Sequence, residues 1–246
     1  MVRVGQNLST VLIGGLRDER MNLKREDVVA VASKVVSTCE GRIVRLAEMR
    51  VTAQAKRLAK RWKMDEGLTA VVMSEADEIL GGVTGFLLTQ KDGVLMANAG
   101  VDLKNAPRGT AMLWPQDPDD SARRLRIALE RRFHTKIGVE IVDSRVTPLR
   151  LGTTGLALGV SGFRPIIDQR GKRDLYGRKV RATQSNIADD VAAASHILMG
   201  ETKEKVGAVV VRNAQTVLYS KGSSDVLKLS REKCLIMNAN PSKTVN

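Results

Sequence analysis

The sequence predicts an α+β protein made of two interleaved subdomains with mixed sheets. Short apolar runs typical of strands alternate irregularly with amphipathic stretches of helical period, a pattern of α+β or mixed α/β proteins, and we adopt α+β. The 246 residues suffice for one sizeable core or two small ones, and no repeat or Pro-rich linker divides them. We therefore treat residues 1–246 as one unit with an undefined subdomain boundary.

The first half of the chain contains one predicted strand, two predicted helices and a hairpin. Residues 27–36 alternate in polarity like a strand, whereas residues 52–62 and 68–80 repeat with helical period. The stretch "GFLLTQKDGVLMANAG" is typical of a β-hairpin, because the turn-forming residues 91–93 separate two apolar runs. Strands and helices are therefore mixed within this half.

The clearest helix of the second half begins in the sequence "DPDD". Asp117 can cap this helix, Pro118 suits its first position, and Asp119 and Asp120 complement the positive end of its dipole. These roles explain the carboxylates without a functional site. The other predicted elements are strands at 137–142, 155–160 and 206–211, with Asp143 directly after the first, and a helix at 185–199 that ends at Gly200.

The net charge of +13 favours a polyanionic partner. Nucleic acid fits poorly, because only seven residues are Trp, Tyr or Phe and no basic segment is interleaved with rings that could stack on bases. The basic clusters at 56–63 and 123–132 lie on predicted amphipathic helices, so we favour solvated helix faces over a nucleic-acid stripe. Small, highly charged substrates suit the charge equally well.

Several classes of protein are disfavoured by the sequence. The longest charge-free apolar stretch, residues 151–163, is shorter than the roughly 20 residues that a membrane helix needs. No secretory signal is evident at the N-terminus, so we expect a cytoplasmic protein without a membrane partner. Cys39 and Cys234 are too few for a disulfide framework and lack the spacing of a metal site.

Common catalytic motifs are absent or weak. No P-loop occurs, and the glycines of "GTTGLALGVSG" have the wrong spacing for a dinucleotide fingerprint. The segment from Ser230 to Lys233 matches Ser-x-x-Lys without its companion motifs, which indicates a chance match. His134 and His196 lie in predicted helices with no second His or Cys at metal spacing, so structural or exposed roles are favoured.

Two carboxylates remain as candidates for a metal site. Asp102 and Asp143 each follow an apolar strand, and strand ends can deliver polar groups to a crevice. Mg²⁺ and Mn²⁺ accept one or two carboxylates and fill their other positions with water and substrate phosphate, and Ser144 adds a hydroxyl. Turn or capping roles for both Asp residues stay open on this reasoning alone.

Seven further motifs, in order along the chain, give the sequence a resemblance to a known family. They are "VASKVVSTCEGRIVRL", "ANAGVDLKNA", "WPQDPDDSARRLR", "GVEIVDS", "GLALGVSG", "RDLYGRKVRAT" and "IADDVAAASHILMGE". Their order and spacing resemble the coenzyme F420-0:gamma-glutamyl ligase family from about residue 5 to residue 212. The resemblance implies the fold of that family, with a divergent tail at 213–246.

The resemblance also implies a set of site residues. One divalent metal would be bound by Asp102 and Asp143, and a second by Ser144 and Glu201. Contacts to GTP are implied for Ser33, Lys34, Asn105, Gly200 and Thr202.

The implied reaction is amide-bond formation driven by GTP, in which L-glutamate is added to coenzyme F420-0, an anionic deazaflavin, through an acyl phosphate. Two Mg²⁺ or Mn²⁺ ions, K⁺ as an optional further cation and a homodimer complete the expectation. Lys34 is expected to meet a phosphate. For Arg178, steering of an anionic substrate and a structural ion pair are weighed equally.

Four departures from the family pattern surround the expected nucleotide. Thr38 replaces a nucleotide-contacting Lys, "SRVTPLR" follows Asp143 without the usual Gly-Arg, and "TKEKVG" replaces a glycine-rich segment after Glu201. The family's initial Gly-Leu-Pro segment would precede Met1 or be missing. A divergent protein that ligates another acceptor, or only binds an anionic ligand, is therefore the alternative, and a basic nucleic-acid binder ranks a distant third.

Overall fold

The computed structural model describes residues 2–214 and 216–238. The helices are α1 Leu8–Asp18, α2 Ser33–Glu40, α3 Ala53–Trp62, α4 Glu66–Glu75, α5 Pro118–Phe133, α6 Ile187–Met199 and α7 Leu235–Asn238. The strands are β1 Val28–Ala32, β2 Ile43–Arg45, β3 Glu78–Val83, β4 Phe86–Lys91, β5 Val94–Ala97, β6 Thr110–Met112, β7 Gly138–Val146, β8 Thr153–Phe163, β9 Ile166–Asp168, β10 Gln184–Asn186, β11 Ala208–Val211 and β12 Leu218–Tyr219. Four short 3₁₀ turns lie at Leu46–Glu48, Asn98–Gly100, Ser224–Leu227 and Arg231–Lys233.

The central sheet is mixed and has the strand order β11-β1-β7-β8-β12. Strands β1 and β7 are parallel, whereas β11 pairs with β1, and β8 with β7, in antiparallel register. A three-stranded sheet, β3-β4-β5, and two pairs, β2-β6 and β9-β10, complete the architecture. The protein is therefore of the α+β class, as the sequence predicts.

Both faces of the central sheet are covered, which explains why β1 is continuously apolar and why residues 138–142 of β7 are all buried. On one face, residues such as Val29 and Ile141 pack with Leu125 of α5 and Leu12 of α1. On the other face, the side chains of the alternate positions pack against α6. The alternation of apolar and polar residues that marks a half-buried strand is therefore missing where a strand buries both of its faces.

A second core lies beneath the β3-β4-β5 sheet and includes side chains of α4 and β6. Its buried members fall between Leu68 and Leu113, whereas those of the central sheet come from both sides of this stretch. A small cluster of Met96, Trp114, Leu156 and Leu158 lies where the two parts of the chain meet. The two cores thus alternate along the chain without a linker.

Several predicted elements are wrong at their ends. The strand predicted at 27–36 ends at Ala32, since residues from Ser33 onwards form α2, whose Val36 is buried as a helical residue. The helix predicted at 68–80 ends at Glu75, and residues beyond it form β3. In both places β-branched residues occur on either side of the boundary, so composition alone does not mark it.

Three further corrections concern the second half of the chain. Asp143 does not end its strand, because β7 continues to Val146 in register with β8. Helix α6 begins two residues later than predicted, since the side chain of Asn186 caps it, and β11 begins at Ala208. His134 lies outside a helix, in the left-handed conformation that terminates α5.

Other predictions are confirmed. The hairpin turns between β4 and β5, the Asp117 side chain accepts a hydrogen bond from the Asp120 amide at 2.8 Å, and Pro118 begins α5. Gly200 ends α6 with a positive φ of 67°. No helix among the described residues is long and apolar enough to cross a membrane.

The glycines of "GLALGVSG" allow two helices to approach β8. A Cβ at Gly155 would overlap the backbone of Ala192 in α6, and a Cβ at Gly159 would overlap the backbone of Pro118 in α5. These glycines therefore serve packing, in agreement with the absence of a nucleotide fingerprint.

The first turns of the same helices carry carboxylates that bind β8. Asp119 accepts a hydrogen bond from the Val160 amide at 2.6 Å, and Asp189 accepts one from the Ala157 amide at 3.0 Å. Asp119 thus does more than complement the helix dipole, because it also joins α5 to the sheet.

Glu140 of β7 is fully buried, and neither carboxyl oxygen has a hydrogen-bond partner among the described residues. Burial, and secondarily the charge of Asp189, raise the pKa of Glu140 well above its ordinary value of 4.5. Replacing Glu140 with Leu should therefore increase the free energy of unfolding at neutral pH by about 1–3 kcal/mol, the usual penalty for an unsatisfied buried polar group.

The pH dependence of this difference tests its cause. Because the folded protein binds the Glu140 proton more tightly than the unfolded chain, the parent loses stability as pH rises above about 4.5. We expect the advantage of Glu140→Leu over the parent, measured by chemical denaturation, to grow over that window and to shrink below it. An advantage independent of pH would contradict this explanation.

Candidate active site

Asp102 lies in a short loop between the β4-β5 hairpin and β6. Its backbone forms two hydrogen bonds with Met112, at 3.0 and 2.9 Å, which fix its position beside β6. One carboxylate oxygen lies 2.6 Å from the Lys34 ammonium at the start of α2, and the other accepts the Lys104 amide at 2.7 Å. A rigid backbone thus presents this carboxylate to a cation.

The turn before Asp102 explains the sequence "NAGVD". Asn98, Ala99 and Gly100 all have positive φ angles, of 52°, 53° and 71°. The buried Asn98 side chain accepts the Leu87 amide at 2.8 Å, and the Thr89 hydroxyl accepts the Ala99 amide at 2.7 Å. These bonds offset the strain of a left-handed Ala, so the turn is fixed by the β4 strand.

Asp143 is half-buried in the middle of β7. The Ser144 amide donates to one carboxylate oxygen at 2.8 Å, and the Trp114 indole donates to the other at 2.6 Å. Burial raises the pKa of Asp143, and the charge of Asp102 adds to this rise, although the Ser144 amide, Lys34 and Trp114 partly oppose it. The two Asp carboxylates therefore lie close enough to influence each other, with Lys34 acting on both.

Glu201, directly after Gly200, is the third carboxylate. It accepts hydrogen bonds from the Lys104 ammonium at 2.7 Å and the Thr153 hydroxyl at 2.9 Å, and it bonds His196 Nε2 at 2.8 Å. Burial would raise the pKa of Glu201, but these hydrogen bonds, led by Lys104, lower it to about 2. Glu201 is thus held as an anion.

His196 and Trp114 are the site residues that the sequence analysis did not identify. His196 does lie in a helix without metal spacing, but it contacts the candidate ligand Glu201 across the end of α6. Trp114 lies beside "PQDPDD" and appeared only as part of a motif. In the structure the indole packs against Gly100, whose missing Cβ leaves room for it, and no sequence pattern joins these two positions.

The residues expected to contact GTP are only partly brought together. Asn105 donates through its side-chain amide to the Thr202 carbonyl at 3.1 Å, which joins the Asp102 loop to the segment after Glu201. Ser33 is buried at the start of α2, where Lys34 reaches Asp102. The Gly200 backbone ends α6 beside these groups.

Among the described residues, the side chains of two other predicted residues, Ser144 and Arg178, form none of these hydrogen bonds or ion pairs. Ser144 follows Asp143 and pairs with Gly155 of β8, and its backbone amide binds the Asp143 carboxylate. Arg178 lies on an exposed segment where its amide bonds Asp174, and no ion pair of the described residues involves it. Neither of the roles weighed for Arg178 gains support from its contacts.

The donors of the site suit cations that keep much of their own hydration. Three carboxylates lie near the ammonium groups of Lys34 and Lys104: Asp102 pairs with Lys34, Glu201 pairs with Lys104, and Asp143 interacts with the charge of both. No group of three or more His, Cys, Asp or Glu side chains within residues 2–214 and 216–238 could hold a metal ion by itself. A site that offers one or two carboxylates to each ion, and no Cys, suits Mg²⁺ or Mn²⁺ better than Zn²⁺.

Comparisons with known proteins identify the family of the chain. Residues 1–213 match a family described as F420-0:Gamma-glutamyl ligase. The chain is 38% identical to the Coenzyme F420:L-glutamate ligase of Methanopyrus kandleri, over 88% of this chain and 84% of that protein. It is 34% identical to the protein of that name from Methanothermobacter thermautotrophicus, over 86% and 84% of the two chains, and 33% identical to that from Archaeoglobus fulgidus, over 96% and 95%. The chain therefore belongs to the F420-0:gamma-glutamyl ligase family.

Proposed function

We propose that this protein uses GTP and divalent metal ions to join L-glutamate to coenzyme F420-0 through an acyl phosphate. The observation that carries the proposal is the grouping of Asp102, Asp143 and Glu201 around two ammonium groups, in a chain whose relatives are named for glutamate ligation. A site in which carboxylates and ammonium groups lie side by side suits a reaction in which a phosphoryl group moves from a nucleotide to a carboxylate, because positive charge must offset that of both anions.

The residues that would hold metal are the predicted ones: Asp102 with Asp143 for one ion, and Glu201 with Ser144 for the other. Bound there, Mg²⁺ or Mn²⁺ would neutralise charge on the transferred phosphoryl group and orient its oxygens. Trp114 and the Ser144 amide hold the Asp143 carboxylate, while Thr153 and His196 hold that of Glu201.

The chemistry proceeds in two substitutions. An acceptor carboxylate oxygen attacks the γ-phosphorus of GTP, the bond to the β-phosphate oxygen breaks, and GDP leaves. The neutral amine of L-glutamate then attacks the acyl carbon, phosphate leaves with the acyl oxygen, and the new amide nitrogen loses a proton to solvent. Lys34 and Lys104, the two ammonium groups of the site, would bind the phosphate oxygens during both steps.

The alternative, a relative with another acceptor or only a bound anion, has two observations in its favour. The Thr38 hydroxyl, at the position of a family Lys, bonds the Lys34 carbonyl within its own helix at 2.7 Å. The Thr202 amide, in the segment expected to contact GTP, donates a hydrogen bond of 2.8 Å to the Glu204 carboxylate. An acidic side chain thus lies where the family pattern has glycines.

The deciding experiment is to incubate the protein with coenzyme F420-0, L-glutamate, GTP and Mn²⁺ and to measure product mass. The proposal predicts a product heavier by one glutamyl unit, formed with GTP and lost with a metal chelator. Formation of GDP only when a different carboxylate acceptor is supplied would favour the alternative. Equal product in excess chelator would exclude the metal-dependent mechanism.

Lys34 is expected to contribute much of the phosphate binding, since Thr38 cannot replace the family Lys. Replacing Lys34 with Ala should weaken GTP binding by about 1.5–3 kcal/mol, or about 10- to 150-fold, the value of a charge-assisted hydrogen bond. Adding Thr38→Lys should restore part of the affinity. Calorimetric titration of GTP in saturating Mn²⁺ measures both effects.

The matched control is Lys56→Ala, which removes an exposed Lys from α3. It should bind GTP like the parent. Mn²⁺ binding to the Lys34→Ala variant should be retained, since the variant loses a cation that competes for Asp102. Unchanged GTP affinity in both Lys34→Ala and the double variant would assign the phosphate contact to another residue.

A further inference from the structure

We propose that Trp114 is a positioning residue that aims the Asp143 carboxylate at its metal ion. This inference rests on the proposed function, because it assumes that Asp143 is a metal ligand. The evidence is a hydrogen bond of 2.6 Å from the indole nitrogen to Asp143, made by a side chain that is only 3% exposed. An indole nitrogen only donates, so this bond has one direction.

The bond leaves the carboxylate correctly arranged for a cation. Each oxygen of Asp143 accepts one hydrogen bond, from Trp114 or from the Ser144 amide. Since a carboxylate oxygen has about two lone-pair directions, each oxygen retains one for another partner. Two fixed donors on different oxygens also prevent rotation of the carboxylate about its χ2 angle. The strand supplies one donor, and Trp114 supplies the other from a different part of the fold.

Trp114 is itself held from three sides. Its carbonyl accepts the Arg42 guanidinium at 3.0 Å, and the Lys91 ammonium lies 5.6 Å from the centre of its ring. Glu75 pairs with both Arg42 and Lys91, so one carboxylate connects the two cations that contact Trp114. The indole therefore has little freedom to turn away from Asp143.

The third side is the turn that carries the other Asp. A Cβ at Gly100 would overlap the indole ring of Trp114, so this contact requires glycine, which also suits the positive φ at that position. Asp102 follows Gly100 by two residues. The same close contact therefore fixes the spacing between the backbone that carries Asp102 and the donor that orients Asp143.

The opposing explanation is that Trp114 only fills the core, since it also packs with Met96, Leu156 and Leu158. Trp114→Phe separates the two explanations, because it keeps an aromatic ring and removes the donor. We expect this variant to bind Mn²⁺ about 10- to 100-fold more weakly, the usual effect of losing a hydrogen bond to a metal ligand. The matched control is Trp62→Phe, in the second core, which should bind Mn²⁺ like the parent.

Titration of free Mn²⁺ by electron paramagnetic resonance, without nucleotide, measures this affinity independently of activity. If Asp143→Asn loses one of the Mn²⁺ ions that the parent binds while Trp114→Phe keeps them all with parental affinity, the inference is overturned and the proposed function stands. If the parent binds no Mn²⁺, the metal proposal fails together with this one.

A second measurement does not depend on how well Trp114→Phe folds. The chain has two Trp residues, so Trp62→Phe leaves Trp114 as the single tryptophan. Saturating Mg²⁺ should change its emission, and the change should disappear when Asp143→Asn is added. Unchanged emission while calorimetry records Mg²⁺ binding would overturn the inference.

Discussion

Replacing Asp143 with Asn should reduce glutamate incorporation by on the order of 100-fold or more, while the metal-free protein keeps nearly its parental stability. The loss of turnover follows from removing a carboxylate that would bind a cation. Stability should be nearly maintained because two effects oppose each other. The Asn side chain has a single acceptor oxygen, so it can accept a hydrogen bond from Trp114 at one end or from the Ser144 amide at the other, but not from both. This loss is offset because the substitution removes a buried negative charge next to Asp102.

The measurement is paired: thermal melting without metal, and glutamate incorporation in saturating Mn²⁺. Asp18→Asn is the matched control, since Asp18 is exposed and, within residues 2–214 and 216–238, pairs only with Arg17. It should change neither quantity. An Asp143→Asn protein that melts much lower and yet ligates glutamate would identify Asp143 as a structural residue of β7.

The largest effect on stability is expected from Asp119→Ala. Asp119 accepts the backbone amides of Val160 and Ser224, at 2.6 and 3.0 Å, and the hydroxyl groups of Ser223 and Ser224. The hydroxyl groups can turn to other acceptors, but the two amides lose their partner. We expect the free energy of unfolding to fall by about 2–4 kcal/mol.

The control for this prediction is Asp120→Ala at the next position of the same helix turn. Asp120 complements the same dipole, but its ion pairs in the described part of the chain are with Arg123 and Arg124 on the exposed face, so its loss should cost less than about 1 kcal/mol. Denaturation in urea compares the two variants. Equal losses would mean that helix electrostatics, rather than the bonds to β8 and to the C-terminal segment, explain the effect of Asp119.

The parts of the fold that were predictable are those with a local cause. Asp117 and Pro118 determine where α5 begins, and Gly200 determines where α6 ends, whatever the rest of the chain does. The passage from β1 into α2 has no such marker, because Ser33 is not preceded by a capping side chain. The position of the boundary between β1 and α2 depends on which residues are buried by the sheet and by α1, and this burial is a property of the whole fold.

The same distinction applies to the site. Asp102 and Asp143 were identifiable as polar residues after apolar runs and as candidates for one metal site, and the family resemblance supported this pairing. The bond from Trp114 to Asp143 spans 29 positions, and that from Lys104 to Glu201 spans 97. Contacts at such separations follow from strand order and register, which the sequence pattern does not determine.

The carboxylates that join α5 and α6 to β8 have a consequence for association between chains. Among the described residues, β8 has only β7 as a strand neighbour before it meets β12 at Gly162 and Phe163. Such a free edge offers unpaired amides to a strand of another molecule and is a common starting point for aggregation. Asp119 and Asp189 occupy two of these amides and place negative charge along the edge. A strand of another molecule would have to displace both carboxylates before it could pair with these amides, so the helix ends disfavour pairing along this part of β8.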